Sequence, residues 1–292
     1  MKPALFDYVR PTSLEEAVSE LAASDGEGKV LAGGQSLVPL LSMRLARPSV
    51  LIDLNRIGGL DYILAQDGTL RIGALTRHRS VELSADVRRC APLVSEALRY
   101  VGHVTIRNRG TIGGSVAHAD PAAELPSVLR ALDAELVAVG PGGERVIPAA
   151  EFFLGYLTTA LEPDEILSEL RIPVQPPGVG VAVVELARRS GDFALVAVFG
   201  AVTVQDGSCT SARLAVAGTS SEPVRASEAE ALLVGNPVND DLITVAAAAA
   251  GAQSGTVGDI HASALYRKDM ARLLAKRALI EAFSKANGGS VR

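Results

Sequence analysis

The chain has 292 residues, 48% hydrophobic and 21% charged, with a formal net charge of −5. That length accommodates two or three compact units, and the mild negative charge gives no reason to expect nucleic acid, whose backbone calls for a basic stripe. No run of about 18 apolar residues offers a membrane span, and the stretch from Met1 to Tyr8 lacks a signal-peptide core, so a cytoplasmic protein without a membrane segment is expected.

Residues 4–9 predict a short strand ended by Pro11. Ser13, with Glu16 three residues on, forms a capping box for a helix that aligns Leu14, Ala17, Val18 and Leu21. The strand Lys29–Ala32 runs into Gly33-Gly34-Gln35-Ser36. Ser36 is expected to cap a helix carrying Leu37, Leu40, Leu41 and Leu45, with Pro39 tolerated in its first turn. Val50–Leu54 is the next strand, and this β-α-β-α-β run predicts a small parallel unit.

From residue 58 the pattern changes. Tyr62–Ala65 and Leu70–Gly73 form a hairpin about Asp67-Gly68. Pro92 opens a helix with Leu93, Val94, Ala97, Leu98 and Val101 on one stripe. An extended segment through Gly110 then enters Thr111-Ile112-Gly113-Gly114-Ser115. Arg107 and Arg109 are either phosphate contacts or surface salt bridges. Asp120-Pro121 predicts a helix with Asp120 as N-cap and a bend at Pro126. In it Glu124 is either an acceptor for ribose or ribityl hydroxyls or a solvated carboxylate. Strands follow at 134–139 and 144–147 around a Pro141-Gly142 tip, and Phe152, Phe153 and Tyr156 are expected in the core.

Residues 171–180 read as a linker. Beyond it, strands at 181–187, 194–205 and 209–218 and helices near 224–234, 240–253 and 262–284 form an antiparallel sheet backed by helices, a separate α+β unit. Between the first two of these strands lies Arg188-Arg189-Ser190-Gly191-Asp192-Phe193, a turn whose aromatic either merely closes it or covers a flat cofactor.

Gly-Gly occurs five times, starting at 33, 58, 113, 142 and 288, and is usually a turn. Only the pairs at 33 and 113 end an apolar run and continue into a small hydroxyl residue. Glycine admits positive φ and close ligand approach, and a run of free N–H groups makes an anion-binding concavity. Two such loops suit the two phosphates of a dinucleotide; plain turns are the competing reading. Only two cysteines are present, Cys90 and Cys209, whereas an iron–sulfur cluster takes about four thiolates, so none can reside on this chain. His78, His103, His118 and His261 have no metal-ligand spacing. The Walker, His-Glu-x-x-His, Gly-x-Ser-x-Gly and Gly-x-Gly-x-x-Gly motifs are absent.

The two glycine motifs, together with the Phe6-Asp7-Tyr8-Val9-Arg10-Pro11 start, Leu51-Ile52-Asp53-Leu54-Asn55, Ile72-Gly73-Ala74, Arg107-Asn108-Arg109-Gly110 and Ser263-Ala264-Leu265-Tyr266-Arg267, resemble in order and spacing the FAD-binding medium subunit of the molybdenum hydroxylase family, which includes xanthine dehydrogenase and aerobic carbon monoxide dehydrogenase. The resemblance implies an α+β fold: a p-cresol methylhydroxylase-type two-part FAD-binding domain over residues 1–176 (a small parallel part, 1–57, and an antiparallel part, 58–176), then a C-terminal flavoprotein domain over 177–292. It implies FAD held at the pyrophosphate by Leu31, Ala32, Gly33, Gly34, Gln35 and Ser36 and by Thr111, Ile112, Gly113, Gly114 and Ser115, with hydroxyls from Ser36, Thr111 and Ser115. Glu124 would contact the sugar portion and Phe193 the isoalloxazine.

The family also implies partners: a small subunit with [2Fe-2S] clusters and a large subunit with a molybdenum-pterin cofactor, as a dimer of heterotrimers. This chain would then relay electrons through FAD to an external acceptor while the molybdenum subunit oxidises an N-heterocycle, an aldehyde or carbon monoxide. No residue here is expected to act on that substrate. Gln35 stands where some members have His, which excludes a covalent flavin link through imidazole at that position. The competing functions are a stand-alone FAD oxidase or dehydrogenase of the same fold, and a module that has lost its cofactor.

Overall fold

The computed structural model describes residues 1–255 and 257–286, so the Gly288-Gly289 pair lies outside the described residues. The first part contains β1 (Asp7–Val9), α1 (Leu14–Ala23), β2 (Gly28–Leu31), α2 (Leu37–Ser42) and β3 (Val50–Asp53), arranged as a parallel sheet in the order β1-β3-β2. Apolar β3 takes the centre, with Tyr8 opposite Leu51 and Val30 opposite Ile52. Ser13 Oγ accepts from the N–H of Glu16 (3.2 Å), whereas Glu16 Oε2 accepts from the N–H of Thr12, one residue outside the predicted box. Helix α2 is shorter than predicted: Leu45 is 72% exposed. The chain closes at Arg44, which adopts a left-handed φ of 59°, and the N–H groups of Leu45 and Ala46 both turn back to Leu40 O.

The second part runs β4 (Ile63–Gln66), β5 (Thr69–Gly73), α3 (His78–Leu83), α4 (Ala85–Cys90), α5 (Pro92–Ala97), α6 (Val104–Arg107), α7 (Ile112–His118), α8 (Glu124–Ala131), β6 (Glu135–Gly140), β7 (Gly143–Pro148), α9 (Ala149–Phe152), β8 (Phe153–Gly155), β9 (Thr158–Thr159) and β10 (Ile166–Pro173). Its five-stranded antiparallel sheet has the order β4-β5-β10-β6-β7. The predicted linker is thus partly a central strand. Its apolar rhythm is broken by Glu169, buried at 3% exposure and held by the Tyr62 hydroxyl, Arg71 Nε (2.7 Å) and Arg171 Nε (2.6 Å). Only residues 174–179 connect onward. Phe152 and Phe153 pack edge to face at 5.1 Å, but Tyr156 is 64% exposed and not in the core.

Asp120 caps a turn through Oδ1 and the Ala122 N–H (2.9 Å). The helix itself starts at Glu124, so Pro126 falls in its first turn, where the missing N–H interrupts no helix bond.

The third part comprises β11 (Gly180–Ala187), β12 (Ala194–Gln205), β13 (Ser208–Ala217), β14 (Val224–Arg225), α10 (Ser227–Leu233), α11 (Asp240–Gln253) and α12 (Ala264–Ala286), with the strands antiparallel in that order. Strand β12 is apolar on both faces, as a covered strand must be. Val196, Val198 and Val202 pack with α10–α12, while Ala197, Phe199 and Ala201 share one continuous core with Leu93, Ala97, Val128 and Leu129 of the preceding part.

Candidate functional site

The first glycine motif leaves β2 and turns at Gly34, whose φ is +73°. Among the described residues, the N–H groups of Gly33, Gly34, Gln35 and Ser36 have no acceptor in the protein. Ser36 stands at the N-cap of α2, but its hydroxyl makes no capping bond, contrary to the expected cap. Gln35 is exposed and donates Nε2 to Gly33 O (3.1 Å). Leu31 and Ala32 are half-buried at the strand end.

The second motif differs from the predicted loop after a strand: α6 precedes it, and Ile112–Ser115 are the first residues of α7. Thr111 is the N-cap and is only 1% exposed, with Oγ1 accepting from the Gly114 N–H (3.1 Å). The N–H groups of Ile112 and Gly113 donate to Thr76 O (3.0 Å) and Ala74 O (2.9 Å). Ile112 is buried in the core. Of this motif, the half-buried Ser115 hydroxyl and the Thr111 N–H have no protein partner among the described residues.

The two motifs nonetheless meet. A Cβ on Gly33 would lie 2.5 Å from Arg109 O and 2.7 Å from Gly110 Cα, and one on Gly114 would lie 3.6 Å from Ala32 Cβ. Two side chains not singled out in the sequence as site residues bridge them. Asn55 Nδ2 donates to Ala32 O (2.8 Å), and its Oδ1 accepts from Arg77 Nη2 (2.7 Å). Arg77 Nη1 donates to Arg109 O. Arg77 sits in a charged Arg-His-Arg run that carries no sequence signal.

Arg107, read as a phosphate contact or a surface ion pair, is neither. It is 7% exposed, with Nε 3.0 Å from Glu82 and Nη1 bonded to Val101 O and Gly102 O. Arg109 is exposed and joins the site through its carbonyl. Buried His78 packs behind Gly110, and burial pushes its pKa down to about 4.

Glu124 is not solvated. It is 6% exposed at the start of α8, and burial, reinforced by the charges of Glu185 and Asp120, pushes its pKa up to about 8. Burial also raises Glu185, on β11, to about 7, and its Oε2 has no partner among the described residues. Sequence alone did not signal that pairing, because it is made between two parts of the chain. Phe193 is 57% exposed in the β11–β12 turn. The same turn touches the preceding part: a Cβ on Gly191 would fall 2.5 Å from the His103 ring.

Residues 4–175 match the family described as the FAD binding domain in molybdopterin dehydrogenase, and residues 182–282 match the CO dehydrogenase flavoprotein C-terminal domain. The chain is 44% identical to the 6-hydroxypseudooxynicotine dehydrogenase complex subunit alpha of Paenarthrobacter nicotinovorans, covering 98% of this chain and 97% of that one. It is 43% identical to the caffeine dehydrogenase subunit beta of Pseudomonas sp. (strain CBB1), covering 83% and 82%. A chain of the carbon monoxide dehydrogenase of Hydrogenophaga pseudoflava superposes with a TM-score of 0.95 at 37% identity, over 98% of this chain and 99% of that one.

Proposed function

The chain belongs to the FAD-binding flavoprotein subunits of molybdenum hydroxylases, oxidoreductases, and from that premise we propose that it is the electron-relaying flavin subunit of a complex oxidising an organic substrate, with the FAD pyrophosphate on the first glycine motif. The observation that carries this reading is the row of four N–H groups, Gly33 to Ser36, that have no acceptor among the described residues and lie beside the contact of the two motifs. Such a row can form a concavity suited to anionic oxygens. The residues fit the group, with a changed division of labour. The first motif offers the N–H groups and the Ser36 hydroxyl. The second offers the Ser115 hydroxyl, the Thr111 N–H and a glycine surface, while the amides of Ile112 to Ser115 and the Thr111 hydroxyl are committed to folding.

Glu124, protonated by burial, is able to donate to a sugar or ribityl oxygen, and Phe193 is free to lie against a ring. Bound FAD supplies the redox chemistry, taking electrons from a partner [2Fe-2S] subunit and passing them to an external acceptor such as NAD, oxygen or a quinone-linked carrier. The chain's own part is binding, orientation and electrostatics. We place the substrate on a partner molybdenum subunit and the assembly, a dimer of heterotrimers, in the cytoplasm. Among the described residues no helix is long and apolar enough to cross a membrane. We divide the chain at residues 176/177, with a subdivision near residue 57.

The test is the visible absorption spectrum of the tagged chain purified gently from its own cells. Flavin bands overlaid on iron–sulfur absorption, with a large subunit co-purifying, are the expected result. Gly33→Val, which drives a side chain into Arg109 O, is expected to abolish the flavin bands. Stoichiometric flavin with unchanged affinity in that variant would falsify the motif assignment.

A further inference from the structure

We propose that Arg77, steered by Asn55, supplies the full positive charge of the phosphate site and holds the two glycine motifs in register. The proposal rests on the FAD reading above and goes beyond it in naming a residue outside both motifs. A nest of N–H groups presents only partial charges, whereas a pyrophosphate brings two negative ones, and among the described residues the second motif adds no amide but that of Thr111, the others being bonded within the protein.

The cations near the site are not equivalent. Arg107 is spent on Glu82 and Arg10 on Asp53, while exposed Arg109, absent from the ion pairs of the described residues, joins the junction through its carbonyl. Among the described residues Arg77 has no carboxylate within salt-bridge distance. Its acceptors are both neutral, Asn55 Oδ1 at 2.7 Å and the carbonyl of Arg109, so its charge remains available to an anion.

The geometry also disposes of two unwanted acceptors. The carbonyls of Ala32 and Arg109 lie at the meeting point of the motifs, and a carbonyl oxygen left unbonded there would repel an anion. Asn55 Nδ2 holds the first at 2.8 Å and Arg77 Nη1 holds the second. The Asn55 amide has one orientation that serves every neighbour. Its N–H and Nδ2 donate to Asp53 Oδ1 (2.9 and 2.6 Å) and its Oδ1 faces the guanidinium. Asp53 is in turn fixed by the Tyr8 hydroxyl. A line of hydrogen bonds thus runs from the end of β3 through Asn55 and Arg77 to the residue before Gly110, and tightens the contact made by Gly33. Arg77 is a charge donor to the bound anion and a positioning residue for the second motif. Asn55 is a positioning residue only.

The experiment uses the full chain with whatever subunits co-purify, and compares wild type, Arg77→Met, Arg77→Lys and Asn55→Ala. Flavin per chain is counted, FAD dissociation is followed by recovery of flavin fluorescence over a range of ionic strength, and FAD-free samples are melted alongside. Arg77→Met is expected to weaken FAD roughly tenfold or more and to flatten the salt dependence. Arg77→Lys, which keeps the charge without the fork, is expected to restore the salt dependence and part of the affinity. Asn55→Ala is expected to weaken binding with the salt dependence intact. Arg77→Met and Arg77→Lys failing alike with an unchanged salt slope would reduce Arg77 to a structural tie and overturn the proposal, as would wild-type affinity in Arg77→Met. A wild-type chain that binds no FAD at all would overturn the FAD reading instead.

Discussion

At the scale of single residues, burial does most to separate chemistry from scaffold. Glu124 is a carboxyl that folding moves from water into a buried position near Glu185 and Asp120, raising its pKa to about 8. The folded state therefore holds a proton that the unfolded chain, with an ordinary carboxyl, releases near pH 4.5. Stability falls as pH rises through that interval. Glu124→Gln keeps the shape and removes the titration. The variant is expected to be more stable than wild type, by about 3 kcal/mol at pH 7 and about 4 kcal/mol at pH 8, and equal to it near pH 4. Denaturant midpoints of FAD-free protein across that range check the sign, and a variant less stable at pH 8 would refute the buried-proton account.

Phe193 is the opposite case, with 57% of its surface in solvent and little packing to lose. Phe193→Ala is expected to change stability by less than about 0.5 kcal/mol while altering flavin affinity and potential. If both flavin quantities match wild type, the ring has no part in holding the cofactor.

At the scale of elements, the two glycine motifs look alike in sequence and are unlike in structure. The first is a true loop, because Gly34 turns at positive φ and nothing nearby takes its amides. The second is a helix start, because Thr111 supplies the cap that a helix needs and Ala74 and Thr76 supply carbonyls for the first N–H groups. Hence Thr111 belongs to folding before it belongs to binding. Thr111→Ala is expected to cost about 1 kcal/mol, read as a denaturant midpoint in FAD-free protein, and Thr111→Ser to restore most of it. Equal midpoints for all three would mean that the cap contributes nothing. Paired strands and short helices also fared differently. The hairpin at Asp67-Gly68 was legible because local turn chemistry sets it. Strand β10 was obscured because its central Glu169 is made tolerable not just by neighbouring Arg171 but by Tyr62 and Arg71, distant in sequence.

At the scale of the whole molecule, the C-terminal sheet is not an appendage. One face packs its own helices, and the other, through Phe199, Ala201, Val181 and Val183, completes the core under α5 and α8. A break between residues 176 and 177 therefore leaves two apolar faces in water, and each half alone is expected to aggregate or to bind a hydrophobic dye, whereas co-expressed halves associate. Soluble, dye-silent halves would show that the shared core is dispensable. Phe199→Ala, which removes a fully buried ring from that core, is expected to cost about 3–5 kcal/mol.

Taken by itself, the sequence determined the class of the molecule. The parallel opening, the later antiparallel sheet, the absence of cluster ligands and the order of short motifs all follow from local periodicity, turn residues and composition, which need no partner across the fold. Tertiary structure alone decided which amides of the glycine motifs stay free, that Arg107 turns inward while Arg77 keeps its charge, and that Glu124 is buried beside Glu185. Each of these depends on an acceptor, a carboxylate or a covering surface contributed by residues far away in the chain, and no local pattern records where those will lie.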